Sequence, residues 1–135
     1  MSDLAVELIK RHEGLRLSPY TCSAGYLTIG YGRNLERGDG ISEAEAELML
    51  QNDLKETYAD LDKFVWYRNA TPNRRAALCD LRFQLGPNRF RGFKRFIAAM
   101  ANDDWALAKV ELLDSLYAEQ VPNRANTIAD MIEAG

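Results

Sequence analysis

Cysteine and histidine are scarce in this chain of 135 residues, which has two cysteines and a single histidine. Cys22 and Cys79 are too few to form a disulfide framework, and they lack the spacing of a metal site. We therefore expect both thiols to be reduced. We also expect the protein to work without a metal or another cofactor.

Long apolar segments are absent as well. No run approaches the ~20 residues that a membrane-spanning helix requires. The N-terminal stretch MSDLAVELIKRHEG carries charges of both signs, and it lacks the apolar core and cleavage site of a signal peptide. We therefore expect synthesis in the cytoplasm, without a signal peptide and without stable membrane association.

Charge is unevenly distributed, although the formal net charge is only −3. Residues 36–63 include nine acids and three bases, whereas residues 68–95 include eight bases and one acid. A basic block can bind an anionic polymer such as nucleic acid or teichoic acid. Because the block lacks the interleaved aromatic residues of single-strand binders, we interpret it as a solvated helical face and expect no nucleic-acid partner.

Strand patterns are confined to the N-terminal third of the chain. Apolar spacing predicts a helix over residues 3–12, ended by Gly14. Two strands are predicted over 16–22 and 26–31, joined by the hairpin loop Ser23-Ala24-Gly25. Capping and periodicity then predict helices over 42–64, 71–86, 92–100, 104–117 and 122–132.

These elements predict an α+β fold, mostly α-helical, in a single domain over residues 1–135. A small lobe that contains the β-hairpin, about residues 14–58, is joined by a long acidic helix to a helical lobe. The helical lobe is formed by residues 1–13 and 59–135. No stretch with the composition of a linker divides the chain.

A carboxylate, a thiol and a hydroxyl lie close together in the stretch RHEGLRLSPYTCSAGYLTIGYGRN. Glu13 ends the first predicted helix, where the macrodipole disfavours negative charge and so favours a proton-donating carboxyl group. Thr28 alternates with Leu27 and Ile29 along its strand. We expect Leu27 and Ile29 to face a small core and Thr28 to face outward or into a cleft. Cys22, at the hairpin edge, is in an unusual place for a buried cysteine.

The same stretch resembles the phage lysozymes, glycoside hydrolase family 24. Eight residues separate Glu13 from Cys22 and five separate Cys22 from Thr28, within the family-like strings EGLRLSPY and GYLTIGYGRN. Three more strings follow in the family's order, namely RRAALCDLRFQLG, GFKRFIAAMANDDWALA and QVPNRA. The resemblance therefore covers almost the whole chain.

The resemblance implies a muramidase that hydrolyses the β-1,4 bond between N-acetylmuramic acid and N-acetylglucosamine in peptidoglycan. Glu13 would be the general acid, and Thr28 would hold a water near the anomeric carbon. Arg124 would lie near the catalytic glutamate, at the floor of the family's cleft. The substrate-binding candidates are Gln84, Tyr117, Arg124 and Tyr26.

Cys22 departs from the best-known family members, which carry aspartate there as the base that activates water. An unperturbed thiol has a pKa near ~8.5, so we expect Cys22 to be mostly neutral and a poor base. It either orients water weakly, or ionises and attacks the anomeric carbon directly. The sequence leaves both roles open, and with them inversion or retention of configuration.

Two other functions remain as alternatives. In a cysteine hydrolase, Cys22 would be the nucleophile and His12 its base, which leaves Glu13 and Thr28 without roles. If Cys22 disables the site, the protein is a peptidoglycan-binding module with little catalysis. As an endolysin, we expect a monomer that reaches the cell wall after release, through a separate holin-type pore.

Overall fold

The computed structural model describes residues 3–38 and 40–135. In chain order the elements are α1 (Asp3–Glu13), β1 (Arg16–Thr21), β2 (Leu27–Gly30), β3 (Arg33–Asn34), α2 (Glu43–Leu61), α3 (Val65–Arg68), α4 (Pro72–Gly92), α5 (Lys94–Ala101), α6 (Trp105–Leu113), α7 (Leu116–Gln120) and α8 (Pro122–Ala134). This order confirms the mostly α-helical α+β fold. In the described ranges, no helix is long and apolar enough to cross a membrane.

The structure divides into two compact units, Met1–Met49 and Leu50–Gly135. The first unit contains α1, the sheet and the start of α2, and the second contains the remaining helices. Helix α1 is thus part of the first unit, whereas the sequence analysis grouped residues 1–13 with the helical lobe.

The sheet of the first unit is antiparallel, with strand order β1-β2-β3. Thr21 pairs with Leu27 next to the predicted hairpin loop. Thr28 pairs on its other side with Asn34 of β3. The sequence analysis missed β3 because a strand of two residues is too short to show an alternating pattern.

An open cavity of about 1060 Å³ lies in the first unit, bordered by the sheet and the first turns of α2. Its apolar lining includes Leu17, Ile29, Ile41, Leu48 and Met49. Leu17 is 82% exposed and Leu48 is 62% exposed. The apolar side chains of this unit therefore border open space instead of forming a closed core.

Helix α2 starts at the predicted capping box. The Glu45 amide donates to Ser42 Oγ at 3.1 Å, and the Ser42 amide donates to Glu45 Oε1 at 2.9 Å. The helix ends at Leu61, earlier than predicted, because the amides of Lys63 and Phe64 bond to carbonyls three residues back. Such bonds tighten and close a helix end, and α3 follows as a separate turn.

Two other predicted helices differ from the observed elements in one respect each. The helix predicted to end at Gly86 is interrupted there, where φ is 78° and ψ is 171°, and a further helical segment continues α4 to Gly92. Pro87 restarts the helix there, since its fixed φ suits a first turn. The helix predicted over 104–117 is divided, because Ser115 accepts a bond from the Ala118 amide and caps α7 anew.

An apolar core occupies the second unit and draws on all of its helices. Burial of a large apolar side chain contributes about 1.5–3 kcal/mol. The fully buried members include Leu61, Leu78, Leu81, Phe90, Phe96, Met100, Leu112 and Ile132. Cys79 of α4 belongs to this core, and it is a free thiol, as is Cys22 in the first unit.

Several arginines of the basic block are internal, so the predicted solvated face is wrong for them. Arg74 is buried and donates from Nε to the Ile132 carbonyl at 2.6 Å. Arg82 donates from Nε to Asp60 Oδ2 at 2.7 Å, and Arg91 donates from Nη1 to the same oxygen at 2.9 Å. These charges hold helices of the second unit together.

Candidate active site

Glu13 is the last residue of α1. The Gly14 amide donates to the Lys10 carbonyl at 2.9 Å, and Gly14 has a φ of 73°. A residue with positive φ ends a helix, and glycine adopts it without strain. The exposed Glu13 side chain leads to the turn between β2 and β3, where its carboxylate lies directly against Gly32.

Thr28 is buried, at 3% exposure, whereas its neighbour Leu27 is 42% exposed. Leu27 therefore does not face a core and Thr28 does not face outward, although strand alternation itself holds. Burial requires a partner for the hydroxyl, and Thr28 Oγ1 donates to the Tyr26 carbonyl at 2.9 Å. Apolarity alone did not show which face of this strand is buried.

Cys22 is half-buried beside the hairpin loop, and its surroundings lower the pKa of the thiol. The largest cause is a hydrogen bond from the Tyr26 backbone, followed by the Thr28 side chain and the Ala24 backbone, while burial opposes them. Hydrogen bonds to a charged form stabilise that form. The environment thus makes the Cys22 thiol more acidic than an ordinary cysteine, and its protonation state at neutral pH stays a prediction.

Cys22 and Thr28 lie side by side, because the Cys22 amide and the Thr28 hydroxyl both donate to the Tyr26 carbonyl, each at 2.9 Å. A hydroxyl has one proton, so it donates either to the Tyr26 carbonyl or to the sulfur. With a neutral thiol, the S–H can donate to Thr28 Oγ1 while the hydroxyl bonds to the carbonyl. When the sulfur ionises, the hydroxyl can turn toward it.

Polar contacts hold the turn that follows β2. Arg33 Nη2 lies 2.9 Å from Glu45 Oε2, and Arg33 Nη1 donates to the Gly40 carbonyl at 3.0 Å. The Arg33 side chain, and then the Ser42 backbone, lower the pKa of Glu45 to about 2. Both partners of this pair are nearly half exposed, so its role is to connect β3 to the start of α2.

Tyr26 is the substrate-binding candidate of the first unit. The Arg37 guanidinium lies over its half-buried ring, 4.6 Å from the ring centroid. The amide of the next residue, Leu27, donates to Glu36 Oε2 at 2.5 Å. Residues 36 and 37 thus fold over the strand that carries Thr28.

The other three substrate-binding candidates belong to the second unit. Arg124 Nε lies 2.7 Å from Asp80 Oδ1. Tyr117 is buried, and no partner for its hydroxyl is present in the described residues. Burial, and then the Asp80 charge, raise the pKa of Tyr117. Gln84 is exposed on α4. The expected proximity of Arg124 to Glu13 stays a prediction.

Neither a cysteine–histidine pair nor a metal centre is formed by the described residues. His12 is exposed and is not among the groups that shift the pKa of Cys22. Over residues 3–38 and 40–135, no three metal-ligating side chains cluster. The arrangement provides a carboxyl group, a hydroxyl and an acidified thiol, which are groups for proton transfer and water placement.

Comparison with known proteins places these residues in a family. Residues 10–124 match the family model described as phage lysozyme. The chain belongs to the phage lysozyme family. The match spans Glu13, Cys22 and Thr28, and it reaches Gln84, Tyr117 and Arg124 in the second unit.

Individual relatives of this phage lysozyme are a phage protein, an amoebal protein and a virion protein. It is 40% identical over 92 residues to the endolysin of Acyrthosiphon pisum secondary endosymbiont phage 1, a match of 67% of this chain and 62% of the relative. It is 27% identical to probable T4-type lysozyme 1 of Dictyostelium discoideum, across 96% of this chain and 93% of the relative. Against the pre-baseplate central spike protein Gp5 of Enterobacteria phage T4, identity is 28% over 96% of this chain and 27% of the relative.

Gly32 is the site residue that sequence reasoning missed. The sequence analysis gave it no role, although it follows the strand that carries Thr28. The structure places it against the Glu13 carboxylate. The available signal was the string TIGYG, in which Gly32 comes two residues after Gly30, the last residue of β2.

Proposed function

We propose that this phage lysozyme is an endolysin-type muramidase. It hydrolyses the β-1,4 bond between N-acetylmuramic acid and N-acetylglucosamine in bacterial peptidoglycan. The observation that carries the proposal is that the Cys22 amide and the Thr28 hydroxyl both donate to the Tyr26 carbonyl, in the same unit as the helix-end Glu13. The relative with 40% identity is named an endolysin.

In this proposal Glu13 is the general acid, which donates its proton to the glycosidic oxygen as the bond to the anomeric carbon breaks. A carboxyl group at a helix C-terminus is suited to this role because the macrodipole does not stabilise its charged form. Exposure lets the substrate reach it. Gln84, Tyr117, Arg124 and Tyr26 are proposed to bind the glycan.

Cys22 and Thr28 are proposed to place and activate the attacking water. The thiolate accepts a proton from the water while the oxygen bonds to the anomeric carbon, and the product has the inverted α configuration. Alternatively, the sulfur attacks the carbon itself, and water later releases the sugar with retention. We favour water attack, because Thr28 lies beside Cys22 and its hydroxyl oxygen can accept a hydrogen bond from the water.

The products of peptidoglycan digestion test the reaction. Purified peptidoglycan is treated with the protein, reduced with borohydride and analysed by mass spectrometry. We expect new muramic acid reducing ends, seen as muramitol. New reducing ends on glucosamine, new amino groups from peptide cleavage, or binding without products would each contradict the proposal.

The configuration of the first-formed reducing end distinguishes the two roles of Cys22. Proton NMR during early turnover should show the α anomer first if water attacks directly. An initial β anomer, together with a trappable glycosyl–cysteine adduct, would instead make Cys22 the nucleophile.

Access to the wall is the last part of the proposal. The substrate of an endolysin lies outside the membrane of the cell that makes it. We therefore propose a separate holin-type pore as the partner, with the lysozyme acting as a monomer.

A further inference from the structure

We propose that Gly32 is a positioning residue, whose missing side chain creates the space that holds the Glu13 carboxylate in place. The inference rests on the proposed function, in which Glu13 is the general acid. It adds a residue that acts only through Glu13.

The space at Gly32 is filled by the Glu13 carboxylate. A Cβ built on Gly32 would lie 2.6 Å from Glu13 Oε2, 2.9 Å from Cδ and 3.4 Å from Cγ. Unbonded carbon and oxygen atoms rest about 3.5 Å apart or more. Any other residue at position 32 would therefore displace the carboxylate by about 1 Å.

The last turn of α1 contacts two consecutive residues of the β2–β3 turn. Lys10 Nζ lies 5.5 Å from the centroid of the Tyr31 ring, and Glu13 lies on Gly32. Lys10 and Glu13 are three residues apart, so they share one face of the helix. The contact is thus between one helix face and one turn, and the turn is itself held by Arg33 through Glu45.

A side chain at position 32 should reduce the reaction rate more than the stability of the fold. The Glu13 side chain is exposed, so it can swing away from an added methyl group at little cost in stability. A general acid, however, must remain within hydrogen-bond reach of the leaving oxygen. A displacement of about 1 Å at a reacting group can reduce the rate about 10²-fold.

Gly30 provides a matched control for Gly32. Its φ is 70° and that of Gly32 is 78°, so alanine strains the backbone similarly at both positions. A Cβ on Gly30 would meet nothing within 4 Å. Gly30→Ala and Gly32→Ala thus differ chiefly in the contact with Glu13.

The first experiment compares kcat, KM and thermal unfolding of the two variants on peptidoglycan fragments. We expect similar losses in melting temperature for both. Gly32→Ala should lower kcat about 10²-fold with little change in KM, whereas Gly30→Ala should stay within about threefold of wild type. A folded Gly32→Ala variant with wild-type kcat, or equal losses in both variants, would overturn the proposal.

A second substrate separates acid positioning from general damage to the site. An aryl glycoside of the same disaccharide with a dinitrophenyl leaving group needs no proton, because dinitrophenolate is a stable anion. The loss in Gly32→Ala should shrink from about 10²-fold to below about threefold on this substrate. An undiminished loss would mean that Gly32 does not act through the acid.

Crystal structures of the two variants give a readout that does not depend on activity. In Gly32→Ala the Glu13 carboxylate should move by about 1 Å, and in Gly30→Ala it should stay. If wild-type protein released no muramic acid ends, the proposed function would fail, yet this displacement would still be tested. An unmoved carboxylate would refute the positioning role by itself.

Discussion

The two units of this phage lysozyme differ in what stabilises them. The second unit has a closed apolar core and a cluster in which the buried Asp60 binds the buried Arg82 and the partly exposed Arg91. In the described part of the first unit, Thr28 is the one buried side chain. That unit is held by strand pairing, the Ser42–Glu45 capping box and the exposed Arg33–Glu45 pair.

The residues that stabilise the fold and the residues proposed to react therefore belong to different units. The proposed reacting groups, Glu13, Cys22 and Thr28, all belong to the unit with little buried apolar surface. Exposed polar contacts contribute little to folding free energy, but they can fix the direction of side chains. Substitutions of the proposed reacting groups in the first unit should therefore change rate, and substitutions in the core of the second unit should change stability.

The largest effect that would sharpen this comparison concerns Cys22. Cys22→Ala removes the group that accepts the proton from water, so activity on peptidoglycan should fall about 10²-fold or more. Cys22→Asp supplies a base that is ionised at neutral pH, so activity should be kept or raised. Thermal unfolding should be nearly unchanged in both.

Reducing-end release checks this prediction, with Cys22→Ser as a control that keeps a small polar group. An unchanged rate in Cys22→Ala would remove the residue from the mechanism.

Asp60→Asn should have the next largest effect, and on stability instead of rate. It leaves the guanidinium of Arg82, whose side chain is 6% exposed, without its charge partner. Loss of one member of a buried pair costs about 3 kcal/mol. Urea unfolding should show this loss, while kcat at low temperature should remain near that of wild type; a variant as stable as wild type would contradict the prediction.

Lowering the pH should remove the stabilisation that the Asp60–Arg82–Arg91 cluster provides. Arg91, and then Arg82, lower the pKa of Asp60 to about 2 against the opposing effect of burial. In the unfolded chain the pKa is about 3.9, so the unfolded state binds more protons between these values. Stability should fall as pH decreases from about 4 through about 2, and Asp60→Asn should lack this component of the pH dependence.

Cys79→Ser should have the smallest effect of the series. Cys79 is a buried core residue whose thiol pKa is raised by burial, although a hydrogen bond with Tyr58 opposes this. Replacement by a hydroxyl should cost about 1–2 kcal/mol of stability without loss of activity. Cys79→Ala is the matched control without a polar atom, and a large loss of kcat in a folded Cys79→Ser variant would contradict the assignment.

Thiol titration supplies a further check on both cysteines. Wild-type protein unfolded without reductant should show two free thiols, because Cys22 and Cys79 belong to different units. A result of none would indicate a disulfide.

The sequence predicted the elements better than the environments of the side chains. The helix stop at Gly14, the capping box at Ser42 and the hairpin loop were predictable because short-range backbone geometry decides them. The break at Ser115 and the new helical segment after Gly86 were not, since each depends on a competing cap or a restart at proline.

The burial and the hydrogen-bond partners of the side chains depend on tertiary contacts, which local sequence patterns do not predict. The burial of Thr28 and the exposure of Leu27 were not predictable, because apolarity alone does not show which face of a short strand is covered. The lowered pKa of Cys22 depends on backbone hydrogen bonds that the sequence does not display. The internal roles of Arg74 and Arg82 required partners far along the chain. The spacing of Glu13, Cys22 and Thr28, by contrast, was readable directly.

Glu13→Gln tests the central claim, that the first unit carries the chemistry. Glutamine keeps the size of the side chain but cannot donate the acid proton, so muramic acid ends should form about 10²–10⁴-fold more slowly. The melting temperature should equal that of wild type, because Glu13 is exposed. A folded Glu13→Gln protein that kept more than about a tenth of the wild-type rate would contradict the account.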